Sequence, residues 1–112
     1  MNLRVQDSVS DDKETMLTVT GEIDVYTAPQ LKEKLLAVCS QEEWKVVVDL
    51  SGVTYMDSTG LGIFIGAYKT CQCTGSSLHL VGLKPRVARL FHITGVDELI
   101  PIEYAHMQGD GQ

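Results

Sequence analysis

The chain has 112 residues, 44% hydrophobic and 21% charged, with a formal net charge of −6 at pH 7. That length and balance fit one domain with a core of its own and are too short for two. The negative charge argues against a nucleic-acid phosphate backbone as partner and in favour of a basic or arginine-supplying one.

No apolar run approaches the roughly 18 residues of a spanning helix, and Met1–Asp7 lacks the apolar core of a signal peptide, so a soluble, cytoplasmic protein without membrane association is expected. The odd count of three cysteines, Cys39, Cys71 and Cys73, argues against a disulfide framework. Cys71-Gln72-Cys73 looks like a metal or redox fragment, but His79, His92 and His106 are scattered and no second pair stands at ligand spacing. No metal and no cofactor are expected, and the thiols read as core or helix-surface residues.

Leu3, Val5 and Val9 alternate with Arg4, Gln6 and Ser8, which predicts a first strand at a sheet edge. After a polar turn at 10–13, Leu17, Val19 and Ile23 alternate with Thr18, Thr20, Glu22 and Asp24. That is a half-buried strand, hairpinned antiparallel to the first. Thr27-Ala28-Pro29-Gln30 reads as a helix start with Thr27 as N-cap, Pro29 in the first turn and Gln30 completing a capping box. Leu31, Leu35, Val38 and Cys39 then give one apolar face to about Ser40.

Val46 to Leu50 is apolar on both sides of the alternation apart from Asp49, the pattern of a central strand, with Trp44 packing where it begins. A polar loop follows, and a second helix starts at about Ser58 with Leu61, Phe64, Ile65 and Tyr68 as its stripe. Gly60, Gly62 and Gly66 cost this helix roughly 1 kcal/mol each relative to alanine. Packing against the sheet accounts for Gly66. For Gly60 and Gly62, packing and the approach of another molecule are equally open. Thr74-Gly75-Ser76 ends the helix, and 78–81 is a further strand. Lys84-Pro85-Arg86 opens a third helix with Val87, Leu90 and Phe91 inward and Arg86 and Arg89 outward, stopped by Thr94-Gly95. Residues 96–102 form a turn of helix or a last strand, and 103–112 a frayed, flexible tail.

The order β-β-α-β-α-β-α-(β) predicts an α/β fold: a mixed sheet of four to five strands with helices mainly on one face, all in a single domain over 1–102. Asp24, Asp49 and Asp57 fall at or near strand ends and could gather as carboxylates. No histidine accompanies them, and no nucleophile elbow, phosphate loop or dinucleotide fingerprint is present. Ser58 at a helix start reads first as an N-cap. The same position faces unpaired N–H groups and the positive end of the helix dipole, so a phosphate there would be tolerated and would change the charge of the surface.

Three blocks carry a resemblance: 21–29 (GEIDVYTAP), 57–62 (DSTGLG) and 90–95 (LFHITG). In order and separation they resemble the anti-sigma factor antagonists of the STAS domain fold, over about residues 3–102, and look closest to the general-stress, sigma-B branch. The resemblance implies a phosphorylatable serine at Ser58. It implies that an anti-sigma factor serine kinase binds the unphosphorylated chain and so frees the sigma factor, and that a PP2C-type phosphatase resets the switch. It also implies a partner surface at Asp24, Tyr26, Thr27, Asp57, Ser58, Thr59, Gly60 and Gly62, and a substrate and binding module rather than an enzyme. Two other readings stand beside it: a STAS scaffold subunit of a larger signalling assembly, and a small nucleotide-hydrolysing or phosphotransfer enzyme using the three aspartates.

Overall fold

The two alternating runs at the start of the chain form a hairpin. In the computed structural model, which describes residues 2–10 and 12–104, β1 (Leu3–Ser10) pairs antiparallel with β2 (Glu14–Ile23), Val5 opposite Val19. α1 (Ala28–Cys39) then leads to β3 (Lys45–Met56), α2 (Ser58–Thr74) to β4 (Ser77–Leu83), and α3 (Pro85–Ile93) through a 3-10 turn at Val96–Glu98 to β5 (Ile102–Tyr104). The sheet order is β1-β2-β3-β4-β5, with every pair after the first parallel. The carboxyl ends of β2, β3, β4 and β5 therefore lie along one edge, where open α/β sheets present their loops to other molecules.

One face of the sheet carries the core. Leu17, Val19 and Ile23 of β2 and Val46, Val48, Leu50, Val53 and Met56 of β3 pack against Leu31 and Leu35 of α1, Leu61, Phe64 and Cys71 of α2, and Val87 and Phe91 of α3. Phe64 and Phe91 meet with ring centroids 6.0 Å apart and planes tilted by 53°, so α2 and α3 lie on the same side. The opposite face presents Met16, Val47 and His79 in one cross-strand row and Thr18, Asp49, Val81 and Glu103 in the next. Trp44 is half-buried against the core, its indole N–H donating to Thr15 Oγ1 at 2.7 Å.

The structure corrects several sequence expectations. β3 does not end at Leu50 but runs to Met56. Its pairing with β2 shifts register between Thr18 and Thr20 and again between Gly21 and Glu22. Each shift puts an extra residue into β3, so its inward residues become Leu50, Val53 and Met56 and the period of two is lost. Asp49 is thus mid-strand on the open face, with Oδ1 accepting from the Ser51 N–H at 2.9 Å, and does not join Asp24 and Asp57. Residues 103 and 104 belong to β5 rather than to a tail, and the remainder of the expected tail, 105–112, lies outside the described residues. Leu90 is only partly buried, and the buried stripe of α2 runs through Gly60, Leu61, Phe64, Ala67 and Cys71, leaving Ile65 and Tyr68 at its margins.

Candidate functional site

The turn after β2 is built around Asp24. Its side chain is buried, and Oδ1 accepts from the N–H groups of Tyr26 at 2.9 Å and Thr27 at 3.0 Å. Thr27 Oγ1 donates to the Glu22 carbonyl at 2.8 Å and accepts from the Asp24 N–H at 3.0 Å. Thr27 is therefore not the side-chain cap of α1, and the expected capping box does not form: Gln30 Nε2 reaches the Leu3 carbonyl instead, at 3.1 Å. Asp24 and Thr27 are only 5% and 8% exposed, so they shape the turn and present little surface of their own. What the turn offers to solvent is Val25 and Tyr26, 60% and 82% exposed.

The loop after β3 meets this turn through the Asp57 N–H, which donates to the Ile23 carbonyl at 3.3 Å. Asp57 itself is the N-cap of α2, with Oδ1 accepting from the Thr59 N–H at 3.0 Å. Ser58, expected as the cap, is the first helical residue instead. It is exposed, and its hydroxyl makes no hydrogen bond among the described residues. The carboxylate is the better acceptor, and its extended backbone, φ −108° and ψ −172°, is the usual N-cap geometry, so the serine is displaced by one position and left unoccupied.

The glycines divide. Gly60 is buried, and a Cβ there would fall 2.7 Å from Met56 Cγ and 2.9 Å from Ile23 Cγ2, so its smallness serves packing and it offers nothing to a partner. At Gly62 and Gly66 a Cβ would meet nothing within 4 Å. Both lie on a groove of about 640 Å³ between α1 and α2 that also takes in Val25, Lys32, Thr59 and Ile63. Packing, the reading assigned to Gly66, therefore does not explain it.

Of the predicted residues, Thr59 and Gly62 line this groove. Tyr26, Asp57 and Ser58 stand in the loops after β2 and β3 and at the start of α2, while Asp24, Thr27 and Gly60 are buried. Val25, inside the 21–29 block, and Ile63 of α2 also line the groove, Val25 as an exposed apolar residue beside the exposed Tyr26. The third block ends α3: Thr94 Oγ1 donates to the Leu90 carbonyl at 2.8 Å, and Gly95 takes φ 78°. His92 Nδ1 lies 3.0 Å from Asp97 Oδ2, which also accepts from the Tyr104 hydroxyl at 3.2 Å. No group of three histidine, cysteine, aspartate or glutamate side chains is placed to hold a metal among the described residues.

The sequence model of the STAS domain matches residues 1–108. The chain belongs to the STAS domain family. As a STAS domain it has curated relatives along its whole length. It is 41% identical over 111 residues to an anti-sigma-B factor antagonist of Listeria monocytogenes, covering 99% of this chain and 97% of the relative. It is 43% identical over 102 residues to the anti-sigma-B factor antagonist of Bacillus subtilis, covering 91% and 92%. A crystal structure of an anti-sigma factor antagonist from Mycobacterium paratuberculosis superposes with a TM-score of 0.82 at 29% identity, covering 91% of this STAS domain and 86% of that chain. The family read from the three sequence blocks, and the mixed sheet with helices on one face, are thus both found. No described helix of this STAS domain is long and apolar enough to cross a membrane.

Proposed function

We propose that this STAS domain is an anti-sigma factor antagonist of a sigma-B-type stress pathway and works by partner switching. In its unphosphorylated form it binds an anti-sigma factor serine kinase and releases the sigma factor. The kinase phosphorylates Ser58, which ends the binding, and a PP2C-type phosphatase restores it. The chain is then a cytoplasmic regulator and substrate that catalyses nothing and touches neither nucleic acid nor membrane.

The observation that carries this reading is the division of labour at the start of α2. Asp57 caps the helix, so the exposed Ser58 hydroxyl is not needed for the fold. The antagonist relatives at about 40% identity, matched over nearly the whole chain, supply the context. A phosphate on Ser58 would carry about −1.5 to −2 charge at neutral pH. The helix N-terminus accommodates such a group, so the domain would stay folded. The partner would instead meet new charge and bulk beside Asp57, at the start of α2. The change is local, and no internal rearrangement is required.

Incubation with the cognate kinase and ATP, followed by mass mapping, tests the site. Phosphate is expected on Ser58. Ser58→Ala is expected to bind the kinase without accepting phosphate, and Ser58→Asp to bind it at least about tenfold more weakly, a difference of roughly 1.4 kcal/mol. Phosphate found only on Thr59, or equal binding by wild type and Ser58→Asp, would overturn the proposal.

A further inference from the structure

A second groove lies on the other side of the switch. It runs between the end of β3 and one face of α3, encloses about 290 Å³, and is lined by Tyr55, Met56, Arg86, Arg89, Leu90 and Ile93. Arg86, Arg89 and Ile93 recur at the helical spacing that puts them on one stripe of α3. Tyr55 is 45% and Ile93 72% exposed, so the apolar part is open. The rim is cationic. Arg86 and Arg89 are exposed, and neither makes an ion pair or side-chain hydrogen bond among the described residues. With Lys84 they are three of only nine lysines and arginines in a chain that carries fifteen carboxylates.

An apolar slot edged by two unpaired arginines, on an otherwise acidic surface, is complementary to one chemistry: a carboxylate-bearing segment with an apolar side chain between its acids. The position says which partner needs it. Tyr55 and Met56 immediately precede Asp57 and Ser58, so a protein held here has the switch serine within reach. The kinase, on the reading above, uses the face that the phosphate spoils. The protein that removes the phosphate must instead hold a chain whose switch face has just become more negative. A cationic groove beside that face gives it a hold that the phosphate does not weaken.

We infer that the α3–β3 groove is a second docking surface, which takes an acidic, apolar-containing segment of the phosphatase that acts on phosphorylated Ser58. The inference rests on the switch reading for its partner but not for its groove, and the experiment separates the two. The variant is Arg86→Glu/Arg89→Glu, whose side chains are both exposed; its circular dichroism and melting are expected to match wild type. With the cognate phosphatase and Ser58-phosphorylated chain, charge reversal is expected to raise the substrate concentration for half-maximal dephosphorylation by about tenfold or more, with kinase phosphorylation of Ser58 unchanged to about twofold. The wild-type reaction is expected to weaken with salt more steeply than the variant's. Equal dephosphorylation of the two chains overturns the inference, and so does a loss confined to the kinase step.

A direct arm uses a fluorescein-labelled peptide of alternating glutamate and leucine. Binding to wild type that is lost in the charge-reversal variant supports the groove even if the kinase leaves Ser58 unmodified, in which case the switch reading fails and the groove stands. Indistinguishable anisotropy with the two proteins overturns the groove whatever the kinase does.

Discussion

Three glycines in one helix make the residue-scale case, because they look alike in sequence and differ in space. Gly60→Ala must push its Cβ against Met56 and Ile23 inside the core, at 2.7 and 2.9 Å. The cost of overpacking exceeds the gain in helix propensity, so a net loss of about 1–2 kcal/mol is expected in denaturant melts. Gly62→Ala and Gly66→Ala meet open space and should each stabilise the domain by about 0.5–1 kcal/mol. If Gly62 floors a partner surface, the same alanine also weakens kinase binding. A variant that is more stable yet binds less well is the expected outcome; stability and binding that rise together would remove Gly62 from the interface. Asp57→Ala loses the one side-chain cap of α2 and should lower stability by about 1 kcal/mol, or about 5 °C in melting temperature, at unchanged fold. None of this was legible from Gly60, Gly62 and Gly66 as letters. Spacing says which residues share a helix face but not what stands opposite that face.

At the scale of elements, the helices were more legible than the strand that orients them. α1 buries Leu31, Leu35, Val38 and Cys39 as their period requires, and Gly75 and Gly95, at φ 74° and 78°, end their helices where glycine was expected to. β3 was read seven residues short. Ser51, Gly52 and Thr54 read as a loop because two extra residues in the pairing with β2 destroy the alternation that marks a strand. α2 starts at Ser58 as expected, but with β3 ending at Met56 only Asp57 is left to cap it, and Ser58 becomes the first helical residue.

The cysteines belong to this scale too. Cys39 near the end of α1 and Cys71 in α2 are both buried, whereas Cys73 is exposed. The neighbouring Cys71 thiol, together with burial, pushes the Cys39 thiol far above the ordinary range, so it stays protonated and unreactive. Maleimide labelling is expected to modify Cys73 alone in the native protein and all three thiols in denaturant. Fast labelling of Cys39 in the native state would mean that α1 and α2 part more readily than their packing implies.

At the scale of the whole molecule, the chain is closed by a junction that the sequence did not reveal. Asp97 accepts from Tyr104 on β5 and lies against His92 on α3, so one carboxylate ties together a helix, a turn and the last strand. These residues stand only a few positions apart but belong to three different elements and share no period, and Tyr104 was assigned to a tail. The hydrogen bond from His92, aided by that from Tyr104, holds the Asp97 carboxyl below its usual range. A depressed carboxylate stabilises the fold above its unfolded pKa, and that contribution is lost as pH falls through the folded value. Tyr104 is shifted the other way: burial, then the neighbouring carboxylate, push its hydroxyl up. Its contribution is full below the ordinary tyrosine range of about 10 and is lost as pH rises through the raised value. Asp97→Asn is therefore expected to melt below wild type at neutral pH, with the difference closing as the pH falls below about 4. Melting temperatures of the two proteins between pH 7 and pH 3 check this. A gap of constant size across that window would show that the asparagine disturbs packing, and that the charge on Asp97 does not hold β5 in place.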